Sequence, residues 1–519
     1  MQAGLQVRSP PSNAQDLPQS VVRGRRSGGD IVTQTRHGER WLHVAQAVAA
    51  PPDGSDAGEV IRWYRQHHNL TQQEAADLLN TTQSWVSKVE KGKLVPGLAE
   101  LRSIAAKLHI PPERLGILPD HSADAIPKPG QVSDAGAPHE SQEHWKLVRR
   151  ELNANRARLG DLASKLYPQA HCIPGTTVLT QPSWLPSEPV ELSDIELYWL
   201  AEALPKPAIV GAIEQTESVR PLTADGEHFR LYSRALRDLA RPKLLDNRVS
   251  YRLAEVDWTG GKGRLGFSYT TYFDVLDVCE AAAHEFADGW LRTGRKRPSL
   301  AHLPLRRHIE DPFDLLARPM LPSINTLTIR RDPIDGHRMY LHRRDAKATA
   351  VAGGMFHVIP AGVFQPAALA PAHQANDFSL WRNIQREYSE EFLGNPEHDG
   401  NSLDPIDYEH DEPFRSFAAA RAAGDFRVFT CAVVLEPLTL WVELLTVAVI
   451  EGPVFDQLFA DMVEVNEEGA AVSTDATRPT VGIPFNTESR ERLKSEPLSP
   501  ISRACIELAW QHRNTLLAS

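Results

Sequence analysis

The chain has 519 residues, 56 of them Lys or Arg and 67 Asp or Glu, for a formal net charge of −11. Its 41% apolar and 24% charged content is that of a globular protein of about two to four domains. No run of some twenty apolar residues exists, which argues against a helical membrane span. The four cysteines (Cys172, Cys279, Cys431, Cys505) lie far apart with no CxxC pair, which argues against a zinc ribbon or disulfide scaffold.

Residues 1–56 are rich in Ser, Gly, Pro, Gln and Arg. Arg8, Arg23, Arg25, Arg26, Arg36 and Arg40 outnumber Asp16, Asp30 and Glu39 there, so a disordered basic segment is expected, with a short helix near Trp41–Ala49. No apolar stretch marks a secretory signal, and a cytoplasmic, nucleoid-associated location is expected. A compact helical domain follows over 57–118. A Pro/Gly/Ala/Asp linker is expected over 119–140.

One helix is expected over 141–168. Trp145, Val148, Leu152, Asn155, Leu159, Leu162 and Leu166 recur by threes and fours, a seam of about three heptads. Two readings stay open: a dimerising coiled coil with Asn155 fixing its register, or a connecting helix docked on the next domain. Gly160 weakens a free-standing helix.

Residues 169–319 read as an α+β region, with a strand at Val249–Trp258 and a helix at Tyr272–Leu291. Gly260, Gly261, Lys262 and Gly263 suit a hairpin turn. Asp277, Glu280 and His284, with Glu285 beside them, share one helix face. That face reads as solvated and salt-bridged, with a metal site as the sharper alternative. From 320 onward strands are expected at Leu327–Arg330, Met339–Arg343, Met355–Ile359, Phe426–Leu435 and Leu440–Ile450, with helices at Leu380–Phe392 and Ser502–Arg513. The fold class is therefore multidomain: an all-α domain followed by a mixed α/β region.

The most specific signal is LTQQEAADLLNTTQSWVSKVEKGK, residues 70–93. Thr71 and Glu74 make a capping box that opens a short helix ending near Leu79. Asn80 suits a left-handed turn, Thr82 can cap a second helix, and Gly92 ends it. Ala75, Leu78, Val86 and Val89 supply faces that lock the two helices together. Leu98, Leu101, Ile104 and Leu108 give a further helix to cover them. The stretch resembles the Cro/C1-type (XRE) helix-turn-helix family. That resemblance implies a transcriptional regulator binding double-stranded operator DNA, usually as a homodimer. It places Gln83, Ser84, Trp85, Ser87 and Lys88 toward base edges, with Thr82 at the start of the same helix, and makes Gln72 a phosphate clamp. Lys91 and Lys93 would add sequence-independent attraction. Trp85 stands where a small residue is usual, and either stacks on DNA or packs on its own domain.

A second pattern lies in VIPAGVFQP…WRNIQREYSEEFLG. Glu387, Glu390 and Glu391 stand at i, i+3 and i+4, on one face of a helical turn. Such a cluster calls for a divalent cation or an arginine. The core Arg386–Glu391 resembles the Nudix box, with Val358–Gly362 as its strand-and-loop lead-in. The resemblance implies an α/β/α sandwich over about 320–515, and Mg2+ held by Glu387, Glu390 and Glu391 for attack of water on a nucleoside-diphosphate derivative. Gly362 and Arg386 are separated by about ten extra residues, and the first glutamate's place falls on Phe378 beside Asp377. The pattern therefore suits a region that senses a nucleotide-like ligand or mediates dimerisation better than a hydrolase, which stands as the alternative beside a plain surface helix with solvated glutamates. Taken whole, the chain resembles multidomain regulators of actinobacteria.

Overall fold

The computed structural model describes residues 57–518, except 68, 69, 80, 95, 109, 111–114, 116–135, 201–203, 243, 244, 345–354, 369, 397–403, 464–468 and 473–480. The expectations for residues 1–56, most of the linker and Asn80 lie outside the described residues.

Four helices form the first part: α1 (Ala57–His67), α2 (Gln72–Leu79), α3 (Gln83–Glu90) and α4 (Leu98–Leu108). Val60, Ile61, Val89, Leu101, Ile104 and Leu108 are buried together, and Ala75, Ala76 and Val86 close the contact of α2 with α3. Each large side chain so buried contributes about 1.5–3 kcal/mol. One expected contact is corrected. Leu78 is 39% exposed, and its neighbour Leu79 packs against Ala75, Ala76 and Val86. Successive helical residues point about 100° apart, so only one of this Leu-Leu pair can face α3.

Helix α5 (Gly136–Ser164) starts inside the expected linker and carries a non-helical backbone at Asn155. Asn155 donates its amide back to the Glu151 carbonyl at 2.8 Å, so it serves its own helix. The seam is occupied within the chain. Val148, Leu152, Leu159 and Ala163 pack on Ala283, Phe286, Ala287 and Trp290. The docked helix is therefore the reading that holds, and the coiled-coil reading of this seam is set aside.

Next come β1 (Val190–Glu191), β2 (Ile195–Trp199), α6 (Tyr232–Ala235), β3 (Val249–Asp257), β4 (Gly263–Thr271), α7 (Tyr272–Arg292) and α8 (Pro304–Ile309). Strands β2, β4 and β3 form a sheet in that order, β2 parallel and β3 antiparallel to β4. Gly260 and Gly261, at φ +72° and +76°, make the β3–β4 connection. A capping box between Thr271 and Asp274 opens α7.

The remaining strands are β5 (Ser323–Arg331), β6 (Arg338–Met339), β7 (Leu341–Arg344), β8 (Phe356–Val358), β9 (Ala361–Val363), β10 (Phe426–Leu435), β11 (Val442–Glu451), β12 (Gly469–Val472) and β13 (Ile483–Pro484). The helices among them are α9 (Pro371–Asn376), α10 (Leu380–Glu387), α11 (Phe414–Ala422), α12 (Gly452–Leu458), α13 (Thr487–Leu493), α14 (Pro500–Gln511) and α15 (Arg513–Leu516). A seven-stranded sheet runs β1-β10-β11-β5-β6-β13, with β9 also paired to β5. β5 and β11 are parallel, and β10 and β11 form a long antiparallel pair.

Period-2 alternation assigns each strand residue to a face. Val442, Leu444, Ala448 and Ile450 of β11 join the cluster containing Ile384, Phe417 and Phe455 of α10, α11 and α12. Leu445, Val447 and Val449 join the other cluster, with Ile501, Ala504, Cys505 and Leu508 of α14. Burial on both faces is why β10 and β11 are nearly continuous apolar runs. The first cluster also takes Tyr232, Leu253, Phe267 and Leu276, so residues before and after 320 share one core.

Candidate nucleic-acid interface

Local hydrogen bonds set the helix-turn-helix. Glu74 N–H donates to Thr71 Oγ1 at 3.2 Å, and the Glu74 carboxylate accepts from Thr71 N–H at 2.8 Å. The Thr71 backbone N–H, and next its hydroxyl at 2.9 Å, donate to the Glu74 carboxylate and hold it below its ordinary range. Thr82 Oγ1 accepts from Trp85 N–H at 3.2 Å and so caps α3. Gly92, at φ +64°, lets the chain turn away after α3.

Between these caps, Gln83, Ser84 and Lys88 are exposed, as are Thr82, Lys91 and Lys93, while Gln72 and Ser87 are half-buried. Trp85 is also half-buried and packs against both apolar clusters of the domain, beside Leu79. Its indole braces α3 and still presents part of its surface to solvent.

Glu90 and Arg65 escaped the sequence reading, and they organise this surface. Glu90 is 3% exposed. Its carboxylate accepts from Arg65 Nε, from Arg65 Nη2 at 3.0 Å and from Gln72 Nε2 at 2.8 Å. Gln83 Nε2 in turn donates to Gln72 Oε1 at 2.7 Å. A chain of polar contacts thus ties α1, α2 and α3 together and ends on the first residue of α3. Gln72 keeps one amide hydrogen beyond the one given to Glu90, and the first N–H groups of α2 have no partner within their helix. Both suit a phosphate oxygen. The legible signal was a carboxylate beside Val89 at a position where apolar spacing expects burial.

The glutamates at 387, 390 and 391 sit where α10 passes into a π-helical turn at Tyr388–Phe392. Across that turn Glu387 and Glu391 both face β9. Glu391 accepts from Ala361 N–H at 3.1 Å, and Glu387 accepts from Asn383 Nδ2 at 3.3 Å. The Glu387 carboxylate also fills the space over Gly362, where a Cβ would overlap it. Arg386 pairs with Asp377 at 3.0 Å, both buried. Asp377 also accepts from Tyr408 Oη and Ala367 N–H, each at 2.8 Å. Among the described residues no three His, Cys, Asp or Glu side chains come together to hold a metal ion. Among the described residues Glu387, Glu390 and Glu391 do not converge as a three-carboxylate magnesium centre would.

The face of α7 expected to be solvated is buried, because α5 and α6 lie on it. Asp277, Glu280, His284 and Glu285 are all 4% exposed or less. Glu280 receives Arg149 and Arg156, the latter at 2.8 Å. Burial opposes its charge, yet the two guanidiniums hold its pKa down to about 2. Asp277 accepts from the backbone and hydroxyl of Ser233, and Glu285 accepts from the N–H groups of Leu305 and Arg306. Burial pushes both of these carboxyls up to about 7. His284, stacked on Trp145 with centroids 5.2 Å apart, is held well below its ordinary range by burial and by Arg149.

A helix-turn-helix family model matches residues 61–115. Those residues are a Cro/C1-type helix-turn-helix domain. The match spans α2 and α3 with their caps and the covering helix α4, and such a domain suggests a DNA-binding regulator. A comparison with curated proteins finds no match. Among the described residues no helix is long and apolar enough to cross a membrane.

Proposed function

We propose that this protein is a sequence-specific transcriptional regulator whose α3 enters the major groove of operator DNA. In this reading Gln83, Ser84, Trp85, Ser87 and Lys88 face base edges, while Gln72, Thr82, Lys91 and Lys93 approach phosphates. One observation carries it: the Glu90–Gln72–Gln83 chain, which fixes the amide at the head of an exposed, capped helix. Amide side chains read adenine by paired hydrogen bonds, and pre-setting one lowers the ordering cost of binding. Binding as a homodimer to paired half-sites belongs to the same reading, through a surface other than the α5 seam.

The α/β body is assigned to sensing a nucleotide-like ligand. Support comes from the sheet with helices on both faces, from Gly362 against Glu387, and from the buried Asp377–Arg386 pair beside the expected glutamate position. These features resemble the Nudix arrangement without supplying its metal centre. A ligand acts only if it binds DNA-competent and DNA-incompetent states unequally.

The test is selection of bound sequences from a random duplex library by the full chain. Operator affinity and thermal stability are then measured with a panel of nucleotides and nucleotide sugars, with and without magnesium. A recovered motif, and a compound that both stabilises the chain and shifts its operator affinity, would support both halves. Failure to enrich any sequence would sink the regulator reading. Magnesium-dependent turnover of a nucleoside diphosphate derivative would replace the sensor by a hydrolase.

A further inference from the structure

Where the end of α5 meets the loop after α7, a groove of about 310 Å3 is lined by Lys165, Leu166, Arg297, Pro298, Ser299 and Leu300. Arg297 donates Nη1 to the Lys165 carbonyl, which holds its guanidinium beside the lysine. Further cations border the groove. Arg158 lies on the last part of α5, which ends one residue before Lys165. Lys296 adjoins Arg297 in sequence, and the guanidiniums of Arg158 and Arg295 lie 5.5 and 5.2 Å from the centroid of the Trp290 ring.

The acidic neighbours leave this corner positive. Asp288 pairs with Arg292 at 2.7 Å and Glu151 with Arg295 at 3.2 Å. Asp161 interacts electrostatically with Lys165. Among the described residues no carboxylate lies within ion-pair distance of Arg158, Lys165, Lys296 or Arg297. Lys165 has only this longer-range interaction with Asp161, and such a concentration of cations at one corner of a chain with net charge −11 suits an anionic partner.

We propose that the groove at Lys165 and Arg297 is a second contact with the DNA backbone, binding phosphodiester oxygens outside the segment read by α3. The proposal rests on the DNA-binding reading above. A polyanion is favoured over one free phosphate because the cations continue past the groove, along α5 to Arg158 and along the loop to Lys296. Lys165 and Arg297 supply charge, the Ser299 hydroxyl lies beside them, and nothing in the set reads a base.

The test is equilibrium binding of the full chain to mixed-sequence duplexes of about 20 and 60 base pairs over a range of salt concentrations. The proteins are wild type, the Lys165→Ala/Arg297→Ala double variant, Arg297→Glu and Lys93→Ala. The double variant is expected to lose about 5- to 20-fold on the long duplex at low salt and to lower the salt slope by about 2. On the short duplex it stays within about twofold of wild type, because the helix-turn-helix covers that duplex by itself. Arg297→Glu loses more on the long duplex, and Lys93→Ala weakens both duplexes alike. Unchanged binding of the groove variants to the long duplex, or equal loss on both lengths, overturns the proposal. If Lys93→Ala still weakens binding in that case, the DNA-binding reading survives. Wild type that binds neither duplex removes both. Thermal stabilisation of wild type but not the double variant by inorganic phosphate, without a length effect, assigns the groove to a free phosphorylated molecule and overturns the DNA assignment. Exposed truncations of this kind leave the melting temperature nearly unchanged, which separates a lost contact from a lost fold.

Discussion

Gln83 donates its side-chain amide to Oε1 of Gln72 at 2.7 Å, which joins the first residue of α3 to the first residue of α2. The acceptor is itself held by the buried Glu90 carboxylate, so the orientation of the Gln83 amide depends on a charge inside the domain.

Glu90→Ala tests that dependence. It leaves Arg65 with its main charge partner gone, and breaking a buried pair costs about 3–5 kcal/mol. Hydrogen exchange on the full chain should show lost protection in α1–α4, with β10 and β11 unaffected. Protection equal to wild type would mean that the pair contributes little to the domain.

Substitutions on α3 separate reading from attraction. Gln83→Ala and Lys88→Ala should relax sequence preference, each by about 1–3 kcal/mol at the base it contacts. Lys93→Ala should weaken all duplexes alike and reduce the salt slope by about 1. Binding to the selected sequence and to scrambled duplexes at several salt concentrations distinguishes the two. Full specificity in both recognition-helix variants would refute the docking.

Leu152 makes no contact with solvent and packs among Phe286, Trp290 and their neighbours. Leu152→Asp therefore buries an unpaired charge and should destabilise the body strongly, by about 3 kcal/mol or more. Light scattering on any folded fraction should give the wild-type oligomeric state, since the seam is intrachain. A well-folded variant with a lower mass would restore the seam to an intermolecular role.

The buried carboxyls of α7 predict a pH dependence. Asp277 and Glu285 have pKa values near 7 when folded, above the ordinary range of an unfolded chain near 4. The folded state then binds protons more tightly than the unfolded state. Stability from these two groups is full below about pH 4 and is lost as pH rises through 7. Glu280, held at about 2, acts in the opposite sense: its stabilisation is present above about pH 4 and is lost as pH falls toward 2. Asp277→Asn should flatten the melting temperature between pH 4 and 7 while leaving the acid limb, and an unchanged slope in that window would exclude Asp277 as its source.

The sequence alone determined what local chemistry decides. Thr71 and Glu74, or Thr82 and Trp85, are three residues apart and need no distant partner, so the caps of α2 and α3 were legible as spelled. The long strands β10 and β11 were legible for a related reason, since a strand buried on both faces must be apolar throughout. Periodicity along α5 showed that one face is covered, and it was silent on what covers it. Only the tertiary structure decided that the partner is α7, and with it that Glu280 meets Arg149 across 131 residues of chain. The same holds for Glu90 and Arg65. A carboxylate is solvated or buried according to whether a cation arrives from elsewhere to offset its desolvation, and no spacing within a single helix carries that information.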